Sequence, residues 1–241
     1  MDRQPLPAAR PHHRFTPEGR RVREVLSYSR RGSRFTPTQQ AAWDAHHEAW
    51  VVPEAAVDSP GFSLSEWFGR EAPLVVEIGS GVGEATAALA AARPDHNVLA
   101  LEVWRPGVAT ALGLVAQAGA GNVRFLSVDA VWALEHLVEP DGLAELWTFF
   151  PDPWPKKRHH KRRLVNPANA HLFATRLRPG AVWRLATDWA DYAVQMRAVL
   201  DAEPLLGGGA VERWPDRPLT RFERKGLAAG REIRDLAYRR R

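Results

Sequence analysis

No cysteine occurs among the 241 residues. That absence removes disulfide frameworks, thiolate metal sites, iron–sulfur clusters and thiol nucleophiles together. No run of about eighteen apolar residues is present, so no segment has the character of a membrane-spanning helix. The N-terminus has no apolar h-region and does not read as a secretory signal, which makes a cytoplasmic protein the expectation. Lysine is scarce as well: four of the 33 basic residues are Lys, and three of them, Lys156, Lys157 and Lys161, fall in one short run. What is present is 45% hydrophobic and 25% charged residues. That apolar fraction is too high for a fibrous or disordered chain and suffices for one α/β core.

The formal charge of +5 is unevenly placed. Residues 1–35 carry nine Arg against three acids, and residues 156–163 (KKRHHKRR) carry six cations and no acid. The remainder of the chain is therefore acidic, with a net charge of −7. An acidic body with two basic segments points to a polyanion gripped at defined places. The expected organisation is a flexible basic arm over 1–31, followed by one domain over 32–241.

A helix is expected from Thr36-Pro37 towards Trp50, with a capping hydroxyl and Pro at the first helical position. From residue 73, apolar runs and helical stretches alternate. Strands are expected at 74–78, 97–103, 123–128, 144–150 and 181–187, with helices at 84–92, 106–118, 130–138, 167–177 and 189–201. Short, continuously apolar strands between helices mean a mostly parallel sheet covered on both faces. Gly207-Gly208-Gly209 reads as a loop, and late strands near 210–214 and 232–238 as an antiparallel edge.

Two constellations carry chemistry. Glu77-Ile78-Gly79-Ser80-Gly81-Val82-Gly83 ends the first strand and opens the first helix, where backbone must approach a ligand closely. Its G-x-G-x-G spacing differs from the G-x-G-x-x-G of dinucleotide sites, and no Lys follows, which excludes a P-loop. Glu102 ends the second strand, where a carboxylate can accept ribose hydroxyls; Asp129 ends the third, where one can take an adenine amine. An adenosine with an amino-acid tail fits this set better than a dinucleotide, with Glu77 near the tail's ammonium.

The second constellation is Phe149-Phe150-Pro151-Asp152-Pro153-Trp154-Pro155. Pro151 cannot sit within a central strand, so Asp152 is expected at the open carboxyl edge of the sheet, framed by two prolines. The basic run follows directly. Lys156, Arg158, Lys161, Arg162 and Arg163 are read as phosphate contacts. His159 and His160 are adjacent and make a poor metal pair; no metal site is expected. Trp43, Trp50 and Trp67 read as packing residues.

Together with Ala186-Thr187-Asp188-Trp189 and Thr220-Arg221-Phe222-Glu223, these motifs resemble the bacterial tRNA (guanine-N7)-methyltransferase family from about Arg30 to the C-terminus. The resemblance implies a seven-stranded, Rossmann-like class I fold, mostly parallel with an antiparallel edge strand. It further implies transfer of a methyl group from S-adenosylmethionine to a guanine in the tRNA variable loop, at position 46. Carried over, Glu77, Glu102, Asp129 and Asp152 match cofactor-contacting positions, beside the turn glycines Gly79 and Gly81. Asp152 also matches the active-site acid, and Lys156, Asp188, Thr220, Arg221, Phe222 and Glu223 match substrate-binding positions. Arg221 replaces a common Lys, Pro155 a common His, and Trp104 a more usual polar residue. The competing readings, an NAD-dependent oxidoreductase and a non-catalytic RNA-binding protein, share parts of this pattern. The first lacks the right glycine spacing, and the second has no need of acids at successive strand ends. Either a monomer or a homodimer is compatible with the sequence.

Overall fold

A computed structural model of the protein describes residues 13–15, 21–23, 26–28, 32, 34–59 and 61–241. Strands β1 (His13–Phe15) and β2 (Arg21–Arg23) pair antiparallel. Most of the arm expected to be flexible lies outside the described residues.

Helix α1 (Pro37–Trp50) begins where the sequence places it. Thr36 Oγ1 accepts from the Gln39 amide, and Gln39 Oε1 accepts from the Thr36 amide, a complete capping box with Pro37 behind it. After α2 (Leu64–Phe68) the alternation starts: β3 (Leu74–Ile78), α3 (Glu84–Ala91), β4 (Asn97–Leu101), α4 (Arg105–Ala118), β5 (Val123–Leu126), α5 (Ala130–His136) and β6 (Leu143–Phe149). There follow α6 (Pro167–Arg176), β7 (Leu177–Thr187), α7 (Ala190–Asp201), β8 (Leu206–Val211), α8 (Arg221–Ala228) and β9 (Arg234–Arg240).

The seven-stranded sheet has the order β5-β4-β3-β6-β7-β9-β8. Its first five strands are parallel, and β9 runs antiparallel to both β7 and β8. Successive residues of one strand feed opposite layers, as a period of two demands. Val76 and Leu99 join the core with Trp183 and Tyr192, whereas Val75 and Val98 join the one with Leu112 and Trp147. The expected packing tryptophans, Trp43, Trp50 and Trp67, sit partly buried against these cores.

One expectation fails. Gly207–Gly209 is not a loop but the middle of β8. A Cβ on Gly208 would stand 2.1 Å from the Ala237 carbonyl of β9, so the close pairing admits only glycine there. β8 therefore begins four residues earlier than the apolar pattern suggested.

The order of strands reverses between β3 and β6: from β3 the chain proceeds outward to β4 and β5, then returns to β6 on the other side. At such a switch point the loops leaving the two carboxyl ends diverge and open a crevice. The glycine turn leaves β3 and the proline-framed loop leaves β6, so both chemical motifs meet there.

Candidate active site

The glycine turn is shaped by contacts as much as by its own residues. Gly83 adopts φ +83°, and a Cβ on it would meet the Ala111 methyl of α4 at 2.3 Å; a Cβ on Gly107 would meet the Gly81 carbonyl at 2.4 Å. Helix α4 therefore packs directly on the turn. Glu102 completes the anchorage, accepting from the backbone amides of Gly81 and Trp104, both at 2.7 Å. The carboxylate of the second strand end thus fixes the turn that leaves the first.

Beneath the turn Glu77 is 2% exposed and accepts from Thr86 Oγ1 at 2.5 Å. Burial pushes its pKa up to about 7, the Thr86 hydrogen bond offsetting part of this and the neighbouring Glu102 charge adding to it. In the folded protein Glu77 therefore binds its proton more tightly than in the unfolded chain. Its contribution to stability is full below pH 4.5 and declines as pH rises to about 7. Replacing Glu77 by Gln keeps an acceptor for Thr86 and removes the ionisation. Urea unfolding of the ligand-free protein is expected to lose this pH slope and to show E77Q more stable at pH 8 by a few kcal/mol at most, at about 1.4 kcal/mol per pKa unit. A wild-type slope in E77Q would assign the titration elsewhere.

Asp129 caps α5, its Oδ1 accepting from the amides of Val131 and Trp132 at 3.0 and 3.1 Å. The flanking Val128 and Ala130 line the crevice beside it.

The crevice is open to solvent and spans about 920 Å³ with that solvent space included. Gly79, Gly81 and Glu102 line one side; Phe150, Pro151 and Asp152 belong to the same lining, as do Arg221 and Phe222 of α8. Gly79, Gly81, Glu102 and Asp152 are therefore brought together, whereas Glu77, buried beneath the turn, and Asp129, capping α5, are not among the lining residues. Ser80 Oγ, within the glycine turn, is buried with no hydrogen-bond partner.

The proline-framed loop holds two aromatic residues in left-handed backbone: Phe150 at φ +52° and Trp154 at φ +45°. Bulky residues in this region cost on the order of 1–3 kcal/mol each and persist only where surroundings impose them. Those surroundings are visible. The Phe150 amide donates to the Ala186 carbonyl of β7 at 2.8 Å, and Arg163 Nε donates to the Pro153 carbonyl at 2.8 Å.

That contact corrects the reading of Arg163. Its side chain is 2% exposed; it also donates to Gln195 Oε1 and Asp191 Oδ2 and lies over the Tyr192 ring. It braces the loop and is not placed to meet a phosphate. Lys156, Lys157, Arg158 and Lys161 are exposed, whereas Arg162 is half-buried.

The Thr220–Glu223 motif starts α8. Thr220 Oγ1 accepts from the Glu223 amide at 3.3 Å, and the Arg221 amide donates to Glu84 Oε2 at the start of α3. Glu223, expected at the substrate, is instead buried at 1% exposure. It accepts from Arg213 Nε at 2.7 Å and Arg217 Nη1 at 2.5 Å. Arg217, itself fully buried, donates through Nη2 to both oxygens of Asp235, and its guanidinium lies 5.6 and 5.3 Å from the Phe149 and Phe150 ring centroids. The network ties α8 to the end of β6. Asp188 pairs with Arg231 at 2.7 Å and packs under Gly226 of α8.

Trp104, marked in the sequence beside Glu102, lines the crevice, as do Ser27 and Tyr28, for which the sequence carries no signal. Ser27 and Tyr28 stand in a basic arm of no periodicity, and only tertiary contact brings them to the sheet edge.

The sequence profile of a family described as "Putative methyltransferase" matches residues 71–236. The chain is 70% identical over 233 residues to a Nocardioides protein named tRNA (guanine-N(7)-)-methyltransferase, covering 97% of this chain and 94% of that one. Proteins of the same name from Cutibacterium acnes and Streptomyces coelicolor are 51% and 46% identical, covering 92% and 90% of this chain and 86% and 82% of theirs. Among solved structures, the 16S rRNA methyltransferase KamB superposes with a TM-score of 0.52 at 18% identity, over 75% of this chain and 95% of that one. At that identity the likeness concerns the fold.

Proposed function

The chain belongs to the bacterial tRNA (guanine-N7)-methyltransferase family, and from that premise we propose that it methylates the guanine at position 46, in the tRNA variable loop. The family's reaction is transfer of a methyl group from S-adenosylmethionine to guanine N7 in tRNA. The observation that carries the site reading is the presence of Asp152 in one crevice with the glycine turn, at the switch point of the sheet. The exposed cations Lys156, Lys157, Arg158 and Lys161 follow Asp152 by a few residues.

The residues suit the cofactor. Gly79 and Gly81 line the crevice without side chains, so their backbone admits close approach of a ligand. Gly79, Gly81 and Glu102 would hold the nucleoside and tail, with Glu102 as acceptor for ribose hydroxyls. Glu77 lies buried beneath the turn, and Asp129 fixes the start of α5, whose Ala130 lines the crevice. When bound, S-adenosylmethionine supplies a methyl group activated by its sulfonium.

Guanine N7 presents an in-plane lone pair and no proton, so this chain has no base to provide. Its task is alignment, and positioning alone is worth several kcal/mol of barrier. Asp152 orients the purine, accepting from its N1–H or 2-amino group, and its fixed charge favours the positive charge that the ring acquires. Arg221 and Phe222, both in the crevice lining, contact the nucleotide, and Lys156 its phosphate. Thr220 and Asp188 act by setting α8. This assigns Glu223 a supporting place in the same helix.

Mass spectrometry of nucleosides from tRNA incubated with the protein and S-adenosylmethionine is expected to show 7-methylguanosine. Chain cleavage at the modified base is expected at position 46 and to vanish in a tRNA with adenine there. Cleavage at another guanine overturns the positional assignment. Neutralising Arg158 and Lys161 together should flatten the dependence of log K for tRNA on log salt by about two units, roughly one per phosphate contact. An unchanged slope returns both side chains to solvated surface.

A further inference from the structure

Arg162 belongs to the basic run, yet its donors point into the protein. Nε donates to the Leu26 carbonyl and Nη2 to the Tyr28 carbonyl, both at 2.9 Å. Between them, the Ser27 carbonyl accepts from Trp154 Nε1 at 3.0 Å. The guanidinium itself lies 3.5 Å from the Trp154 ring centroid, so the two side chains form one stacked unit. Across the crevice Trp104 Nε1 donates to the Gly32 carbonyl at 2.9 Å. Leu26–Tyr28 lies outside any helix or strand, so its carbonyls need donors from elsewhere. Three consecutive ones find them in the loop after β6.

Ser27 and Tyr28 line the same crevice as Gly81, Glu102 and Asp152. We infer that Arg162 and Trp154 are positioning residues for the cofactor crevice: they hold Leu26–Tyr28 in place as part of its wall, and Arg162 serves this contact instead of an RNA phosphate. A guanidinium works through a rigid planar fork. Once Nε and Nη2 are committed to two carbonyls and the face is stacked on an indole, the geometry for a bidentate phosphate contact is gone. Losing these donors orphans three carbonyls, which then turn to water, and the wall leaves with them. Trp154's left-handed backbone has the same rationale, because it aims the indole N–H at the segment instead of at solvent. The inference rests on the crevice being the S-adenosylmethionine site.

The test uses the full chain with S-adenosylmethionine in calorimetry without tRNA, and with tRNA in salt titrations. Arg162→Ala is expected to weaken S-adenosylmethionine about tenfold, the equivalent of roughly one net hydrogen bond to a charged group. At saturating cofactor kcat should stay within about threefold, and the tRNA salt slope should match wild type, so the loss falls on KM. Arg162→Lys, able to reach one carbonyl, should lie between. Trp154→Phe, which keeps the ring and deletes one donor, should shift cofactor affinity the same way by a smaller factor, and it decides the question if R162A does not fold. Arg158→Ala should behave oppositely, with a lower salt slope and unchanged cofactor affinity. Wild-type cofactor affinity in R162A, or a slope reduced as in R158A, overturns the inference. A wild-type protein whose E102A variant binds S-adenosylmethionine normally overturns the crevice reading instead.

Discussion

Asp152→Ala is expected to lower kcat for tRNA methylation by about 10²–10³-fold, the loss associated with removing one pre-aimed electrostatic group at a reacting centre. The residue is partly exposed in the crevice lining and lies outside every helix and strand, so its removal should leave thermal unfolding nearly unchanged. The prolines on either side, and the left-handed Phe150 and Trp154 beyond them, hold its backbone in place. Asp152→Asn keeps one acceptor for a guanine N–H and loses the charge, which separates orientation from electrostatics. If charge dominates, N and A variants fall together; if orientation dominates, Asn recovers much of the rate. Either pattern with a large kcat loss supports the assignment. Turnover within twofold of wild type in D152A removes Asp152 from the chemistry.

Glu223→Ala should act through stability. The side chain lies in a buried network with Arg217, at zero exposure, and Arg213. Deleting one partner leaves a desolvated cation under-compensated, which costs about 3–5 kcal/mol. Asp235 still neutralises part of Arg217, so the lower end of that range is expected from urea unfolding. Activity falls as well, because Arg217 rests on Phe149 and Phe150 and the network holds α8, with Arg221 and Phe222, against the crevice. A stability loss below about 1 kcal/mol combined with a large rise in KM for tRNA would restore Glu223 as a substrate contact.

The contrast between Asp152 and Glu223 shows where sequence reasoning reaches and where it stops. Both are acids in compact motifs near strand or helix ends, and both look poised for substrate. Pro151 and Pro153 exclude Asp152 from the sheet, a local steric fact readable from the chain alone. Nothing local to Thr220–Glu223 reveals that Arg213, Arg217 and Asp235 converge on Glu223. Arg163 is the parallel case among the cations. Six basic residues in a run look equivalent in one dimension, but the turn over Lys157–Arg162 points some outward and folds the last two inward.

Most of the fold was legible for a similar reason. Buried parallel strands are continuous apolar runs, and the Thr36 cap, the Gly79–Gly83 turn and the Asp152 loop are marked by residues with few conformational options. Gly207–Gly209 misled because glycine signals both a free loop and a strand pressed against its neighbour, and only the 2.1 Å approach to Ala237 distinguishes them.

By itself, then, the sequence determined the alternation of strands and helices, the glycine turn, the proline-framed acid and the family to which they belong. The alternation, the turn and the framed acid depend on backbone restrictions or apolar periodicity within a few residues, whereas the family rests on the resemblance of whole motifs. Tertiary structure alone decided which cations face solvent, that Glu223 and Arg163 brace their surroundings, and that Leu26–Tyr28 lines the crevice. Those outcomes turn on hydrogen bonds and charge pairs between residues six to more than a hundred positions apart, for which neighbouring sequence carries no signal.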